Sequence, residues 1–450
     1  MRLFGTDGVR GPANKAPMDS DTVLKLGQAL AYYISRDGKK NKRILIGKDT
    51  RLSGYMLESA LVSGICSMGV TAQLVGPIPT PGVAFMTRGM RADAGVMISA
   101  SHNPFEDNGI KIFGADGFKL PDKVEDEIEA LMFSDELKSF RAAPTEIGKA
   151  VRIDDAVGRY VAYLKGCFHR TFKLDGMKVV LDTANGAAYK VAPMVLRELG
   201  AEVITVGDEP NGTNINDGVG SLYPENIAKL VVEHKANIGI SLDGDADRVI
   251  LVDETGKVVD GDHLLAVLAV HFKKHGQLAS NGVVGTVMSN LGLEMFLKEH
   301  DIKFVRTAVG DRYILEKMVS DCYNIGGEQS GHFIVLDYNT TGDGMLTALM
   351  FLSIMIKTGK SVSELTGQMK MLPQTLINIK VPRKPPLETL TKVQAKMRFA
   401  EEALAGNGRL LVRYSGTENK ARVMVEAQDE MHCKNIAREL ADVILEELAA

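Results

Sequence analysis

The sequence is short of cysteine, of charge of one sign and of long apolar runs. Its four cysteines, Cys66, Cys167, Cys322 and Cys433, lie far apart and form no C-x-x-C pair. That argues against a disulfide framework or a zinc centre and for reduced thiols. Lys plus Arg number 53 against 57 Asp plus Glu, a formal charge of −4. Such a balance creates no global field for nucleic acid or a membrane surface, and neither is expected as a partner. The longest apolar stretch, residues 345–356, is broken by Thr347 and Ser353. It falls well short of the ~20 residues of a membrane span and reads as a buried core helix. Asp7 arrives before any apolar segment, so no signal peptide is expected and the cytoplasm is the expected compartment. The nucleotide signatures are missing too. Gly109 and Gly114 have the spacing of a P-loop, but Ala115 follows where lysine is needed, and no G-x-G-x-x-G follows a strand. A nucleotide kinase or a dehydrogenase is therefore disfavoured.

What is present is material for several cores. The chain has 450 residues, 45% of them hydrophobic and 24% charged, as in a soluble protein of several domains. One order of elements recurs three times. Arg43-Ile44-Leu45-Ile46-Gly47 is a β-type run, followed by a polar loop, a helix over about 54–68, a stop at Gly69 and a second strand over 70–75. Lys178-Val179-Val180-Leu181-Asp182 begins a second copy, with a helix stopped by Gly200 and a strand over 203–206. Gly282-Val283-Val284-Gly285-Thr286 begins a third, with a helix over about 291–300 and a strand over 302–306. Strands alternating with helices argue parallel α/β units, and glycine just past a helix is its usual stop signal. The last segment differs. A strand over 376–381, prolines at 382, 385 and 386, a helix over 387–405, a strand over 408–413 and a helix over 432–448 suggest a smaller α+β domain. The expected class is α/β: three similar α/β domains with mixed sheets plus a smaller α+β C-terminal domain, around a central cleft. The boundaries are placed at 1–152, 153–255, 256–370 and 371–450.

Each copy then reaches a second loop with its own polar content, and ligands of α/β sheets gather at strand ends, so the loops are expected to line one cleft. In the first, Ser101 lies between Ala100 and His102, with Pro104 beyond. Neighbouring side chains on an extended chain point opposite ways, so His102 need not touch Ser101. Asp107-Asn108-Gly109-Ile110-Lys111 reads as a turn that returns Lys111 to the same edge, as a phosphate contact or an acid/base group. In the second, Asp243, Asp245 and Asp247 alternate, and an extended backbone would aim all three carboxylates to one side. Such a group needs a cation, and hard oxygen donors select Mg²⁺ or Ca²⁺. Glu254 is twelfth counting from Asp243, but Arg248 stands where a calcium-binding EF-hand loop needs glycine, and the flanks read as strands. Mg²⁺ is preferred, with a position left for a phosphate oxygen and with Arg248 beside it for an anionic ligand. The third loop offers Glu328 and Ser330 between glycines, suited to sugar hydroxyls. A fourth, in the last segment, offers Arg413, Ser415, Thr417 and Arg422, suited to a phosphate dianion.

Taken together these motifs closely resemble the α-D-phosphohexomutase superfamily, over essentially the whole chain and in the family's order. Ile98-Ser99-Ala100-Ser101-His102-Asn103-Pro104 resembles its phosphoserine loop, and Asp243-Gly244-Asp245-Ala246-Asp247-Arg248 its magnesium loop. Gly327-Glu328-Gln329-Ser330-Gly331-His332 resembles its sugar loop, and Arg413-Tyr414-Ser415-Gly416-Thr417-Glu418 its phosphate loop. Phe4-Gly5-Thr6-Asp7-Gly8-Val9-Arg10-Gly11 also fits and implies that Arg10 lies near the phosphoserine. Gln329, the form of the phosphate loop and the stretch 98–120 favour the bacterial branch that interconverts glucosamine 6-phosphate and glucosamine 1-phosphate for UDP-N-acetylglucosamine and cell-wall synthesis. The resemblance implies Mg²⁺ held by Ser101, as its phosphoester, with Asp243, Asp245 and Asp247. It implies catalytic roles for Ser101, Lys111 and Arg10. Substrate would be held by Glu328, Ser330, Arg413, Ser415, Thr417 and Arg422. Glucosamine 1,6-bisphosphate, or a similar hexose bisphosphate, would be the activator. The alternatives are a phosphomannomutase or phosphoglucomutase, a non-catalytic phosphosugar-binding relative, and a hydrolase releasing phosphate. A homodimer is compatible with the sequence, which does not set the oligomeric state.

Overall fold

Runs such as Arg43–Lys48, apolar at consecutive positions and buried along most of their length, suit strands covered on both faces. The computed structural model describes residues 3–5, 7–404, 408–414 and 419–449. The first sheet contains β1 (Val9–Pro12), β2 (Arg43–Lys48), β3 (Thr71–Pro77), β4 (Ala94–Ile98), β5 (Asp107–Gly114) and β6 (Ala150–Arg152), in the order β1-β5-β4-β2-β3-β6. The second contains β7 (Lys178–Asp182), β8 (Glu202–Val206), β9 (Ile238–Leu242), β10 (Val249–Val252) and β11 (Val258–Val259), ordered β11-β10-β9-β7-β8. The third contains β12 (Gly282–Thr286), β13 (Lys303–Thr307), β14 (Ile325–Gly327) and β15 (Phe333–Val335), ordered β13-β12-β14-β15.

The three sheets share one plan. In each, the first strand of the repeat lies between the second and third, parallel to both. A fourth strand then returns antiparallel to the third. The functional loops connect third strand to fourth: residues 99–106 join β4 to β5, 243–248 join β9 to β10, and 328–332 join β14 to β15. The equivalence expected from the repeat is therefore physical, since each loop leaves the carboxyl end of the corresponding parallel strand.

One apolar cluster runs from Leu45 to Met369 and draws on all three units. The helix Gly344–Thr358 contributes many of its members, as the apolar run predicts. Asp343 caps its start, accepting from the Leu346 N–H at 2.9 Å, and Gly359 ends it in the left-handed region at φ 67°. The last sheet is antiparallel, β16 (Gln374–Lys380), β17 (Arg409–Tyr414) and β18 (Lys420–Glu426), with β18 central. It packs with the helices Thr391–Leu404 and Glu430–Ala449 into a separate cluster from Ile379 to Leu448. Among the described residues no helix is long and apolar enough to cross a membrane.

Candidate active site

The serine loop folds against expectation in one respect. Ser101 is not extended: its φ is +53°, and it is 1% exposed. Its neighbour's side chain therefore does not point away, and Ser101 Oγ lies 3.2 Å from His102 Nδ1. Burial, reinforced by Arg248 and Arg10, lowers the His102 pKa to about 4, so the ring is neutral at neutral pH. The Ser101 hydroxyl donates to Asp243 Oδ2 at 2.6 Å, across 142 positions of sequence.

The acidic loop brings its three carboxylates together, but not by strand alternation. It is a turn with Ala246 at φ +57°. Asp243, Asp245 and Asp247 are all buried, and one oxygen from each lies within 4.8 Å of the others. Burial, with Asp247 and Asp245 adding repulsion, raises the Asp243 pKa well above the carboxylate range. Gly244 makes the close approach possible: a Cβ there would meet the Ser101 carbonyl oxygen at 2.6 Å.

Lys111 arrives on a strand rather than on the expected turn. It stands in β5 opposite Met97, 2% exposed, and donates to Asp245 Oδ2 and Asp247 Oδ2 at 3.0 Å each. Burial alone would lower its pKa, but Asp245, Asp247 and Asp7 outweigh it and hold the ammonium charged. Thr80 donates to Asp245 Oδ2 at 2.6 Å. Asp245 Oδ1 and Asp247 Oδ1 are buried with no hydrogen-bond partner. Two orphaned carboxylate oxygens beside a third carboxylate and a serine hydroxyl are a donor set that fits a hard divalent cation.

A cavity of about 440 Å³ opens beside this group, lined among others by Arg10, His102, Asp247, Arg248, Glu328 and His332. Arg10 is thus brought to the serine loop, on β1 and paired with Asp7. Glu328 faces the same space, its Oε1 accepting from the Gly310 N–H at 3.1 Å. Ser330 is exposed at the outer end of the third loop. Several participants escaped the sequence reading. Asp7 lies 3.3 Å from Lys111, and Lys119 bridges Asp7 and Asp311. His332 has both ring nitrogens buried without partners, 3.6 Å from Asp311 and 3.9 Å from Asp247. Asp7, His332 and Lys119 stood inside stretches already singled out, though none was given a role; Asp311 carried no local signal.

The phosphate loop is only partly in view. Ser415 and Thr417 lie outside the described residues. Arg413 on β17 pairs directly with Arg422 on β18, so both side chains share a face of the sheet. Burial and the Arg422 charge both work against the charge on Arg413. Arg413 Nη2 comes within 3.9 Å of Met288 Sδ, in the loop that follows β12.

Three related α/β sheets, a buried serine facing an acidic triad and a fourth unit with an arginine pair define a phosphosugar mutase architecture. Comparison with known proteins agrees. Models described as phosphoglucomutase/phosphomannomutase α/β/α domains I, II and III match residues 1–139, 158–256 and 260–372, and the model of the C-terminal domain matches 376–443. The chain is 58% identical to a phosphoglucosamine mutase of Syntrophotalea carbinolica, over 98% of this chain and 97% of the relative. It is 53% identical to one of Bdellovibrio bacteriovorus, over 100% of this chain and 99% of the relative. A phosphoglucomutase/phosphomannomutase family protein from Burkholderia thailandensis has the same fold, at a TM-score of 0.82 and 22% identity, over 99% of this chain and 97% of that one. So does the N-acetylphosphoglucosamine mutase of Aspergillus fumigatus solved with GlcNAc-6P and magnesium, at a TM-score of 0.70 and 17% identity, over 99% of this chain and 96% of that one. The chain belongs to the phosphoglucosamine mutase family.

Proposed function

We propose that this chain interconverts glucosamine 6-phosphate and glucosamine 1-phosphate, with Ser101 carrying the phosphoryl group that is exchanged. The observation that carries this reading is the buried Ser101 Oγ, 2.6 Å from Asp243 and facing the same acidic group that Lys111 engages. In the resting phosphoenzyme Ser101 is a phosphomonoester, so its hydroxyl proton is gone and a dianion faces three carboxylates. That arrangement requires cations. Lys111 and Arg10 supply two, and Asp243, Asp245 and Asp247 with a phosphoserine oxygen would hold Mg²⁺. The metal supplies neutralisation of charge on the transferring group.

The chemistry then balances within the cleft. A free hydroxyl of the bound monophosphate bonds to phosphorus as the P–Oγ bond of Ser101 breaks. The proton lost by the sugar is matched by the one Ser101 Oγ regains. The resulting 1,6-bisphosphate reorients and returns its other phosphoryl group to Ser101. Lys111 and Arg10 stabilise the developing charge, and Lys111 can also move a proton. Glu328 and Ser330 hold sugar hydroxyls in either orientation. Arg413, Ser415, Thr417 and Arg422 hold the phosphate that does not react. Enzyme that has lost its phosphoryl group is restored by glucosamine 1,6-bisphosphate or a similar hexose bisphosphate. The setting is the cytoplasm, with domains divided at 152, 255 and 370. The four free cysteines support that setting, and a homodimer is compatible with it.

The test is kcat/KM for glucosamine 1-phosphate, glucose 1-phosphate and mannose 1-phosphate, side by side, with Mg²⁺ and the bisphosphate. A clear preference for the amino sugar is expected. Preference for glucose or mannose phosphate would move the chain to the sister activities, and stoichiometric release of free phosphate would replace the mutase with a hydrolase.

A further inference from the structure

Ser101 occupies the left-handed region, which a residue with a side chain leaves unless its surroundings hold it there. Two side chains do so, from different units. Arg51, just beyond β2, is wholly buried, and its guanidinium is spent on the serine loop. Nη2 donates to the carbonyls of Ser101 at 2.9 Å and Asn103 at 2.8 Å. Nη1 donates to the carbonyls of Asp107, at 3.0 Å, and Pro104. Asp49 fixes the fork, accepting from Arg51 Nε at 2.8 Å and from Ser99 Oγ at 2.6 Å. Ser99 Oγ in turn accepts from the Ser101 N–H at 2.9 Å.

The second donor comes from the unit that carries the aspartates. Asn216 Nδ2 donates to the Ser101 carbonyl at 2.9 Å and to the Asn103 carbonyl at 3.0 Å. The Ser101 and Asn103 carbonyls therefore each accept twice, once from each unit. A Cβ on Gly244 would meet Asn216 Nδ2 at 2.8 Å and the Ser101 carbonyl at 2.6 Å, so this contact lies against the acidic loop itself.

We propose that Arg51 and Asn216 are positioning residues: a two-sided clamp on the Ser101 and Asn103 carbonyls that sets the reach of Ser101 Oγ relative to the aspartates. The consequence for turnover rests on the mutase reading above; the clamp on the loop does not. Loss of the clamp leaves substrate contacts in place and displaces Ser101 Oγ, so it acts on kcat rather than KM.

Asn216→Asp is the sharpest variant, because it keeps the shape and turns a double donor toward two carbonyls into an acceptor. Arg51→Lys keeps the charge and removes the planar fork that spans four carbonyls. Two readouts are taken on the full-length protein. Backbone hydrogen exchange of residues 99–106 is expected to quicken about tenfold in Asn216→Asp, beyond any change in the separate core of the last unit, which serves as the internal reference. Turnover is expected to fall by about 100-fold in kcat with KM within about twofold, the scale of a displacement near 1 Å. Unchanged exchange in that loop overturns the clamp, whatever the enzyme does. Faster exchange with wild-type kcat, or wild-type kcat in Arg51→Lys, overturns its role in positioning. A wild-type chain that turns over none of the hexose phosphates defeats the mutase reading instead, and exchange still decides the clamp.

Discussion

The region that would do the chemistry and the region that would hold the spectator phosphate are built by different means. Around Ser101 and the aspartates, groups from the first and second units are buried together over the apolar cluster that runs from Leu45 to Met369. Hydrogen bonds such as Thr80 Oγ1 to Asp245 at 2.6 Å cross between the units. The fourth unit has its own core and meets the third through polar links. Arg409 Nη2 donates to the Ser289 carbonyl at 2.9 Å, and the Leu291 N–H donates to Glu426 Oε2 at 3.3 Å. Close-packed apolar seams tolerate one arrangement, whereas small polar ones permit rigid-body motion. The difference teaches a division of labour. On the proposed roles, the groups that would meet the transferring phosphoryl group are held in the shared core, and those that would hold the other phosphate sit on the unit with its own core and a polar seam.

The comparison breaks most severely at the preorganised end. Ser101→Ala removes the hydroxyl proposed to carry the phosphoryl group, and turnover is expected to fall by at least about 1,000-fold while the fold is kept. Wild-type mutase rates in that variant would end the phosphoserine reading. Asp245→Ala comes next. It removes a carboxylate with an orphaned oxygen and one of the two at 3.0 Å from Lys111. A loss of about 100-fold or more in kcat is expected, together with loss of the response to added Mg²⁺. An unchanged rate and an unchanged Mg²⁺ titration would refute the metal assignment.

The same contrast governs what could be read in advance. The three parallel units were legible because each repeats an apolar strand and a helix within a short window, with a glycine stop in the first two; Asp301, at φ +51°, follows the third helix instead. Gly69 and Gly200 do end helices, with φ of +84° and +103°. The returning strand of the first unit was not legible. Asp107-Asn108-Gly109 has turn chemistry, yet it lies in β5, where a Cβ on Gly109 would meet the Ser99 carbonyl at 2.6 Å and the Val9 carbonyl at 3.0 Å. That glycine serves backbone approach rather than a turn. The three aspartates do come together, but strand alternation plays no part, since Ala246 bends the loop. Lys119 lay in the stretch 98–120, but its partners are 112 and 192 positions away and no local pattern could name them.

At the fourth unit the expected losses are smaller and different in kind. Arg413→Ala removes one of two neighbouring guanidinium groups from the fourth unit. It is expected to raise KM for the sugar phosphate about tenfold and to leave kcat within about threefold, the signature of a lost uniform binding contact. A fall in kcat alone would place Arg413 with the preorganised group and erase the distinction.

At the joint the expected effect falls on stability and leaves turnover alone. Asp262 is buried, and its Oδ2 accepts from the Asn290 N–H at 2.8 Å. The Asn290 side chain in turn donates to the Leu372 carbonyl and accepts from the Leu372 N–H, both at 3.0 Å, where the third unit hands over to the fourth. Burial, with Asp260 adding repulsion, raises the Asp262 pKa to about 7. In the unfolded chain the same carboxyl titrates near 3.9. Between those values the folded protein binds the extra proton, so this group's stabilising contribution is complete below about pH 4 and lost as pH rises through about 7. Asp262→Asn removes the titration and keeps an acceptor for the Asn290 N–H. The variant is therefore expected to gain on the wild type by roughly 2–3 kcal/mol between pH 5 and pH 8, read as a difference in thermal midpoints. Parallel pH profiles for the two proteins would show that Asp262 titrates normally and that the joint owes nothing to its protonation.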